Sequence, residues 1–91
     1  MKVRVHIFVS GKVQGVFFRS ETRTEAYRRH VAGWIRNLPD GRVEAVFEGE
    51  EKDVHRLVEF CQKGPAGAEV SKTEESAEAY TGEFKDFRIA W

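Results

Sequence analysis

Alternation of apolar and polar residues predicts β-strands in five parts of the chain. The clearest lies near the start, where every second residue is apolar: Val3, Val5, Ile7 and Val9. Four further stretches have a strand-like pattern: 33–37, 42–48, 68–76 and 84–91, the last with Phe87, Ile89 and Trp91 on one face. Pro39 and Gly41 suit a tight turn between the second and third stretches, so those two strands are predicted to form a hairpin.

Two segments are predicted to be helices. In the second, the apolar side chains fall at i, i+3, i+4 and i+7, at Val54, Leu57, Val58 and Cys61. Acidic residues precede this stretch, and Lys63 followed by Gly64-Pro65 ends it, as the polarity of a helix favours. The first helix, over 19–30, is predicted from its Glu, Arg, Thr and Ala content, although its apolar stripe is thin.

The order of these elements is β-α-β-β-α-β with one more strand at the end, which predicts a ferredoxin-like α+β sandwich. In that plan a mainly antiparallel sheet carries two helices on one face, and residues 1–91 form a single domain. The third strand lies between the first and the second, which run in the same direction. Two strand spacings then place the loop after Val9 opposite Asn37, about 10 Å away at one edge of the sheet.

Composition narrows the range of functions. The 91 residues carry 15 basic and 15 acidic side chains, unlike the basic excess of a dedicated nucleic-acid binder. A single cysteine, Cys61, excludes an internal disulfide and a multi-cysteine zinc site. Charges interrupt the first apolar run and no run is long enough to span a membrane, so we expect a cytoplasmic protein. Many Glu, Lys and Arg residues beside a single asparagine give the hypothesis of a thermostable protein.

A glycine-containing loop, residues 11–16, is the best candidate for a functional site. Gly11 and Gly15 permit backbone turns that other residues disfavour, and a helix follows at once. Successive N–H groups of such a loop, together with the helix N-terminus, can bind an anion, and Arg19 can close over it. An alternative of equal weight is that the glycines only shape a tight connection and that Arg19 is a solvated surface charge.

Several common sites do not fit these residues. The loop lacks the Gly-Lys-Ser/Thr of a nucleotide-binding P-loop and the glycine spacing of a dinucleotide site. A cysteine-dependent phosphatase is excluded, because no cysteine stands shortly before Arg19. Cys61 lies on the apolar stripe of the second helix and is interpreted as a buried structural thiol. The three histidines are His6, His30 and His55. No two of them have the i,i+4 spacing of a ligand pair on a helix, so we expect no metal site.

Two segments resemble the two signatures of the acylphosphatase family: GKVQGVFFR at 11–19, and GWIRN at 33–37 followed by Pro39-Asp40-Gly41. The resemblance covers essentially the whole chain, although residues 76–83 match little. It implies hydrolysis of the carboxyl-phosphate anhydride of a small acyl phosphate, by direct attack of water and without a cofactor. Inorganic phosphate is then the product and an inhibitor, and we expect a monomer with no nucleic-acid or membrane partner.

The resemblance also implies roles for particular residues of this chain. Arg19 binds the phosphoryl group, and Asn37, which closes the second signature, orients the attacking water. Backbone amides of the first signature help to bind the phosphoryl group, at Gln14, Gly15, Val16, Phe17, Phe18 and Arg19. Because an amide is a poor proton acceptor, Asn37 is not a general base, and the proton goes to a substrate phosphate oxygen or leaves later.

Two other functions are compatible with the same topology. One is an RNA-binding sheet, for which Phe8 offers a stacking ring, although the ribonucleoprotein motif is absent. The other is a non-catalytic module that binds an anion in the loop without turnover. Four aromatic residues are candidates for a substrate pocket, but we expect most of them in the core: Phe17, Phe18, Trp34 and Phe47.

Overall fold

The computed structural model describes residues 1–90, and within them lie five strands and two helices in the predicted order. Their bounds are β1 Lys2–Lys12, α1 Phe18–Arg28, β2 Ala32–Asn37, β3 Val43–Glu50, α2 Glu51–Lys63, β4 Glu69–Glu78 and β5 Phe87–Ile89. Trp91, which was predicted to end the last strand, lies outside the described residues. The predicted ferredoxin-like fold is confirmed, with one further strand at its end.

The five strands form one mixed sheet in the order β4-β1-β3-β2-β5. β1 pairs with β3 and β4, and β2 pairs with β3, in antiparallel ladders, whereas β5 joins β2 in parallel. The prediction that β3 lies between β1 and β2 is therefore confirmed. As a result, β1 and β2 both end on the same edge of the sheet, and the segments that follow them become neighbours.

Both helices cover one face of this sheet, and the hydrophobic core lies between them and the strands. β1 contributes Ile7 and Val9, which are fully buried, and α2 buries the whole of its predicted stripe. α1 has the weaker pattern and buries only Phe18, Thr22 and Ala26. Since a fully buried aliphatic or aromatic side chain contributes about 1.5–3 kcal/mol, this layer holds the helices on the sheet. The opposite face, which we call the open face, carries neither of the two helices found among residues 1–90.

The first strand is longer than predicted, which moves Gly11 out of the loop. Gly11 pairs with Val70 of β4, just after a shift of register that follows Ser10. Its φ is 125°, and a Cβ atom there would strike the carbonyl of Glu69, so the position requires glycine for its place in the strand. The connection between β1 and α1, called the site loop below, is therefore residues 13–17.

Several other boundaries also differ from the prediction. α1 ends at Arg28, two residues early, and His30 beyond it takes a left-handed φ of 56°. β4 continues to Glu78, and β5 begins only at Phe87. The segment 79–86 therefore connects two strands, where the sequence predicted that the final strand would begin at Phe84.

Glu48 of β3 fastens this 79–86 segment to the open face. Its buried carboxylate accepts hydrogen bonds from the backbone N and the hydroxyl of Thr81, both at 2.9 Å, and from the backbone N of Gly82 at 3.1 Å. Arg4 adds an ion pair at 3.2 Å. Since a buried charge is tolerated only when it is paired and hydrogen-bonded, these four donors explain how Glu48 can be buried.

Candidate active site

A cleft of ≈ 270 Å³ lies where β2 ends and α1 begins. It is lined by Val13, Gly15, Phe17, Phe18, Arg19, Ser20, Asn37 and Ile89. The site loop and Asn37 therefore meet at one cleft, at the sheet edge where the sequence predicted that they face each other. Of the residues predicted to bind phosphate through their amides, Gln14 and Val16 lie outside the lining.

The site loop passes twice through the left-handed backbone region before α1 begins. Gly15 has a φ of 74°, and Phe17 has a φ of 61°. Such a conformation costs a non-glycine residue about 1–2 kcal/mol. The Phe17 side chain is 78% exposed, so core packing does not offset that cost. Backbone strain of this kind is concentrated at functional sites, and Phe17, unlike the similarly strained His30, lies at this cleft.

The four aromatic residues considered for a substrate pocket occupy different places in the fold. Phe18 and Phe47 are buried in the core as expected. Trp34 is only half-buried and lies on the open face, and Phe17 is exposed at the cleft. The expectation of a core position is therefore wrong for Phe17 and Trp34, because neither side chain packs between the helices and the sheet.

The cleft is electropositive for two reasons. The carbonyl of Phe17 accepts the N–H of Glu21 at 3.0 Å, so α1 begins here and its earlier N–H groups have no acceptor within the helix. Those groups give the helix start a partial positive charge. Arg19, the second residue of α1, is partly buried and lines the cleft. A guanidinium beside a helix N-terminus is an arrangement that binds oxyanions.

Asn37 supplies a different kind of group to the same cleft. It is the last residue of β2, and its Oδ1 atom is buried where no donor among residues 1–90 reaches it. Leaving a buried acceptor unpaired costs about 1–3 kcal/mol, and a donor from a bound molecule in this cleft would remove that cost. The sequence identified the residue, but it could not show that this oxygen lacks a protein partner.

The side chain of Gln14 connects the site loop to the hairpin turn, residues 38–42, that joins β2 to β3. Its Nε2 donates hydrogen bonds to the carbonyls of Leu38 and Arg42, both at 2.9 Å. From the sequence, only the backbone amide of Gln14 was predicted to take part in the site. No signal in the sequence pairs this side chain with carbonyls 24 and 28 residues away.

Comparison with known proteins decides the family. The acylphosphatase family model matches residues 5–89. The chain belongs to the acylphosphatase family. It is 57% identical over 91 residues to an acylphosphatase of Syntrophus aciditrophicus, covering 100% of this chain and 95% of that protein. It is 54% identical over 90 residues to an acylphosphatase of Pelotomaculum thermopropionicum, covering 99% and 98% of the two chains.

The fold of solved acylphosphatases agrees with this assignment. The crystal structure of the Bacillus subtilis acylphosphatase matches with a TM-score of 0.92 at 34% identity, over 98% of this chain and 99% of that chain. As an acylphosphatase, the protein is a hydrolase that acts on small acyl phosphates, and this function is favoured over an RNA-binding or a non-catalytic module. In the described part of the chain, neither helix has the length and apolarity needed to cross a membrane.

This acylphosphatase has a larger cleft, of ≈ 580 Å³, on its open face. Trp34 and Phe84 line it together with three basic and three acidic side chains, which are Arg36, Lys85, Arg88, Glu44, Glu83 and Asp86. Both arginines of this lining form salt bridges within the cleft, Arg36 with Glu44 at 2.6 Å and Arg88 with Asp86 at 3.0 Å. Because these charges balance, the larger cleft does not select an anion, and the anion-binding features belong to the smaller one.

Cys61 takes no part in the acylphosphatase cleft. It is fully buried on α2, and burial raises the pKa of its thiol to about 12, although a hydrogen bond with Thr22 opposes the rise. Since the thiolate is the nucleophilic form, a thiol with this pKa is inert near neutral pH. The interpretation of Cys61 as a buried structural residue is confirmed.

Proposed function

We propose that this chain hydrolyses acyl phosphates by direct attack of water on phosphorus. In this mechanism Arg19 and the backbone amides from Gln14 to Arg19 hold the phosphoryl group, while Asn37 orients the water. The observation that carries the proposal is the buried Oδ1 of Asn37, an acceptor without a donor among residues 1–90, in the same cleft as Arg19.

The phosphoryl group is the charged part of the substrate and needs the electropositive side of the cleft. During transfer, charge is spread over its three equatorial oxygens, so catalysis depends on positioning and on electrostatic stabilisation. The forked guanidinium of Arg19 can contact two of these oxygens. Val13, Phe18 and Ile89 make part of the cleft wall apolar, which strengthens every such contact.

The water is held on the other side by the amide of Asn37. Oδ1 accepts a hydrogen bond from the water and so turns an oxygen lone pair towards phosphorus. An amide oxygen does not take the proton, which passes to a phosphoryl oxygen of the substrate or leaves once the new P–O bond has formed. The departing carboxylate is weakly basic, so the reaction needs no general acid.

Two alanine variants test this division of roles with benzoyl phosphate as substrate. Arg19→Ala should weaken phosphate binding and lower kcat, because the guanidinium contacts the phosphoryl group in both the ground state and the transition state. Asn37→Ala should leave phosphate affinity within a few-fold and lower kcat by about 100-fold or more. Arg19→Lys should restore little activity, since a point charge cannot make the forked contact.

Arg23→Ala is the matched control, because Arg23 is exposed on the same helix and does not line the cleft. Each variant is first shown to be folded by its thermal melting curve. Near-full kcat in Asn37→Ala would refute the water-orienting role, and unchanged phosphate binding in Arg19→Ala would refute the anion site. Phosphate binding by the unaltered protein without any hydrolysis would instead support the non-catalytic module.

Three narrower expectations belong to the same proposal. Released phosphate remains a competitive inhibitor, the chain acts as a monomer, and it works in the cytoplasm without a nucleic-acid partner. The monomer is tested by sedimentation, which should give the mass of a single 91-residue chain. The location is tested by cell fractionation, and the lack of a nucleic-acid partner by an RNA titration. A stable dimer or tight RNA binding would contradict them.

A further inference from the structure

Gln14 holds the two halves of the candidate active site together by hydrogen bonds rather than by apolar packing. It precedes Gly15 in the site loop, and the two carbonyls that it contacts belong to the hairpin turn, which starts directly after Asn37. One side chain therefore links the segment that leads to Arg19 with the segment that carries Asn37.

The hairpin turn is arranged so that Gln14 completes it. Within the turn, the N–H of Leu38 donates to the carbonyl of Arg42 at 2.8 Å, and the N–H of Gly41 donates to the carbonyl of Leu38 at 3.1 Å. Each of these carbonyls has a second lone pair, and the two hydrogens of the Gln14 amide occupy both. The hairpin turn is thus held both by hydrogen bonds within its own backbone and by hydrogen bonds from the Gln14 side chain.

We propose that the Gln14 side chain is a positioning residue that sets the place of Asn37, and hence of the attacking water, relative to the site loop. This inference rests on the proposed function, because it assumes that Asn37 orients the nucleophile. The side chain of Gln14 touches neither the water nor the phosphoryl group, because both of its N–H groups bind the hairpin turn. It keeps the end of β2 at a fixed distance from the residues that hold the phosphoryl group, and a misplacement of about 1 Å can cost 100-fold in rate.

The chemistry of the two acceptors makes Gln14→Glu the sharpest perturbation. A carboxylate has nearly the shape of the amide but only accepts hydrogen bonds, so it repels the same two carbonyls. Gln14→Ala removes the link without that repulsion and serves as the second variant if Gln14→Glu does not fold. Gln62→Glu, at the other glutamine of the chain, is the matched control, because Gln62 is exposed on α2.

The test measures kcat for benzoyl phosphate and the inhibition constant of phosphate at a temperature where each variant is folded. Gln14→Glu should lower kcat about 10-fold or more and keep phosphate affinity within a few-fold, since Arg19 and the loop amides remain. Gln62→Glu should leave both unchanged. In a double variant with Asn37→Ala, Gln14→Glu should cause no further loss of kcat, because it acts through Asn37.

The outcomes separate this inference from the proposed function. If Asn37→Ala is slow but Gln14→Glu retains full kcat, the positioning role is wrong while the proposed function stands. If the fold-losses of kcat in the two single variants multiply in the double variant, Gln14 acts independently of Asn37. If Gln14→Glu loses as much phosphate affinity as kcat, its effect lies on the site loop. Either result overturns the inference. Full kcat in Asn37→Ala itself overturns the proposed function first.

Discussion

Replacing Glu48 with glutamine isolates the contact that fastens the 79–86 segment to the sheet. Oε2 accepts two hydrogen bonds from Thr81 and the ion pair of Arg4, while Oε1 accepts the N–H of Gly82. Glu48→Gln keeps the shape of the side chain but turns one oxygen into an NH₂ group. Whichever way the amide is turned, an N–H group faces a backbone N–H group of Thr81 or Gly82.

The cost follows from the number and kind of these contacts. Losing a hydrogen bond to a charged group costs about 1.5–3 kcal/mol, and a buried donor left without an acceptor costs about 1–3 kcal/mol. Because the two penalties describe partly the same change, we expect the free energy of unfolding to fall by about 2–4 kcal/mol. For a domain of this size the melting temperature should fall by about 10–20 °C. The cleft between β2 and α1 shares no residue with this contact, so kcat should not change.

The pH dependence has a definite sign. Burial alone would raise the pKa of Glu48, but hydrogen bonds from Thr81, Arg4 and Gly82 outweigh it and leave this pKa below its ordinary value. A carboxyl group with a lowered folded pKa stabilises the folded state above its unfolded pKa, which is about 4.3. That stabilisation is lost as the pH falls through the folded pKa. The difference between the two proteins should be full at pH 7 and shrink below about pH 4.3.

Urea unfolding followed by circular dichroism, at pH 7 and in acid, measures both effects. Glu78→Gln is the matched control, because Glu78 also binds Arg4 but is more exposed, and it should cost clearly less. If Glu48→Gln lost no more stability than Glu78→Gln, the contact would not fasten the segment. If its deficit did not shrink as the pH falls below about 4.3, the charge of Glu48 would not be the cause.

Four further outcomes are expected. Phosphate should inhibit competitively, with sulfate occupying the same cleft, and purely non-competitive inhibition would contradict an anion site there. Cys61→Ala should retain kcat and lose about 1 kcal/mol or more in unfolding free energy, while thiol reagents should not label the folded protein. Gly33→Ala should be strongly destabilised in urea, because φ is 139° and a Cβ would strike the carbonyl of Val46. If the thermostability hypothesis holds, the unaltered protein should melt above about 65 °C in calorimetry.

The sequence predicted the fold because most of its signals come from burial. The alternating apolar residues of β1 and the i, i+3, i+4, i+7 stripe of α2 both pack in or against the core, although Val3 and Val5 are only partly buried. The ends of the strands and helices were predicted less well, because hydrogen bonding rather than burial decides where an element ends. Gly11 looked like a loop residue because sequence cannot distinguish a glycine of a turn from one required by a bulge.

The candidate site was predicted only in part. The signatures pointed to Arg19 and Asn37, and the topology brought the site loop and Asn37 to one edge of the sheet. The supporting contacts of Gln14 and Glu48 were not predicted, because both side chains bind backbone atoms far along the chain. A residue type reveals which hydrogen bonds a side chain can make, and only the folded backbone shows where its partners lie.

The meeting of the two site segments has a simple cause in the register of β3. Val43 is the first residue of β3 and is fully buried, and it pairs on one side with Val9 of β1 and on the other with Asn37 of β2. Val9, near the end of β1, therefore stands two strand spacings from Asn37, the last residue of β2. Hydrolysis of an already activated anhydride requires little beyond a held water and a held phosphoryl group. In the proposed mechanism these two roles fall to the site loop and Asn37, which one buried pairing position brings together and one glutamine side chain connects.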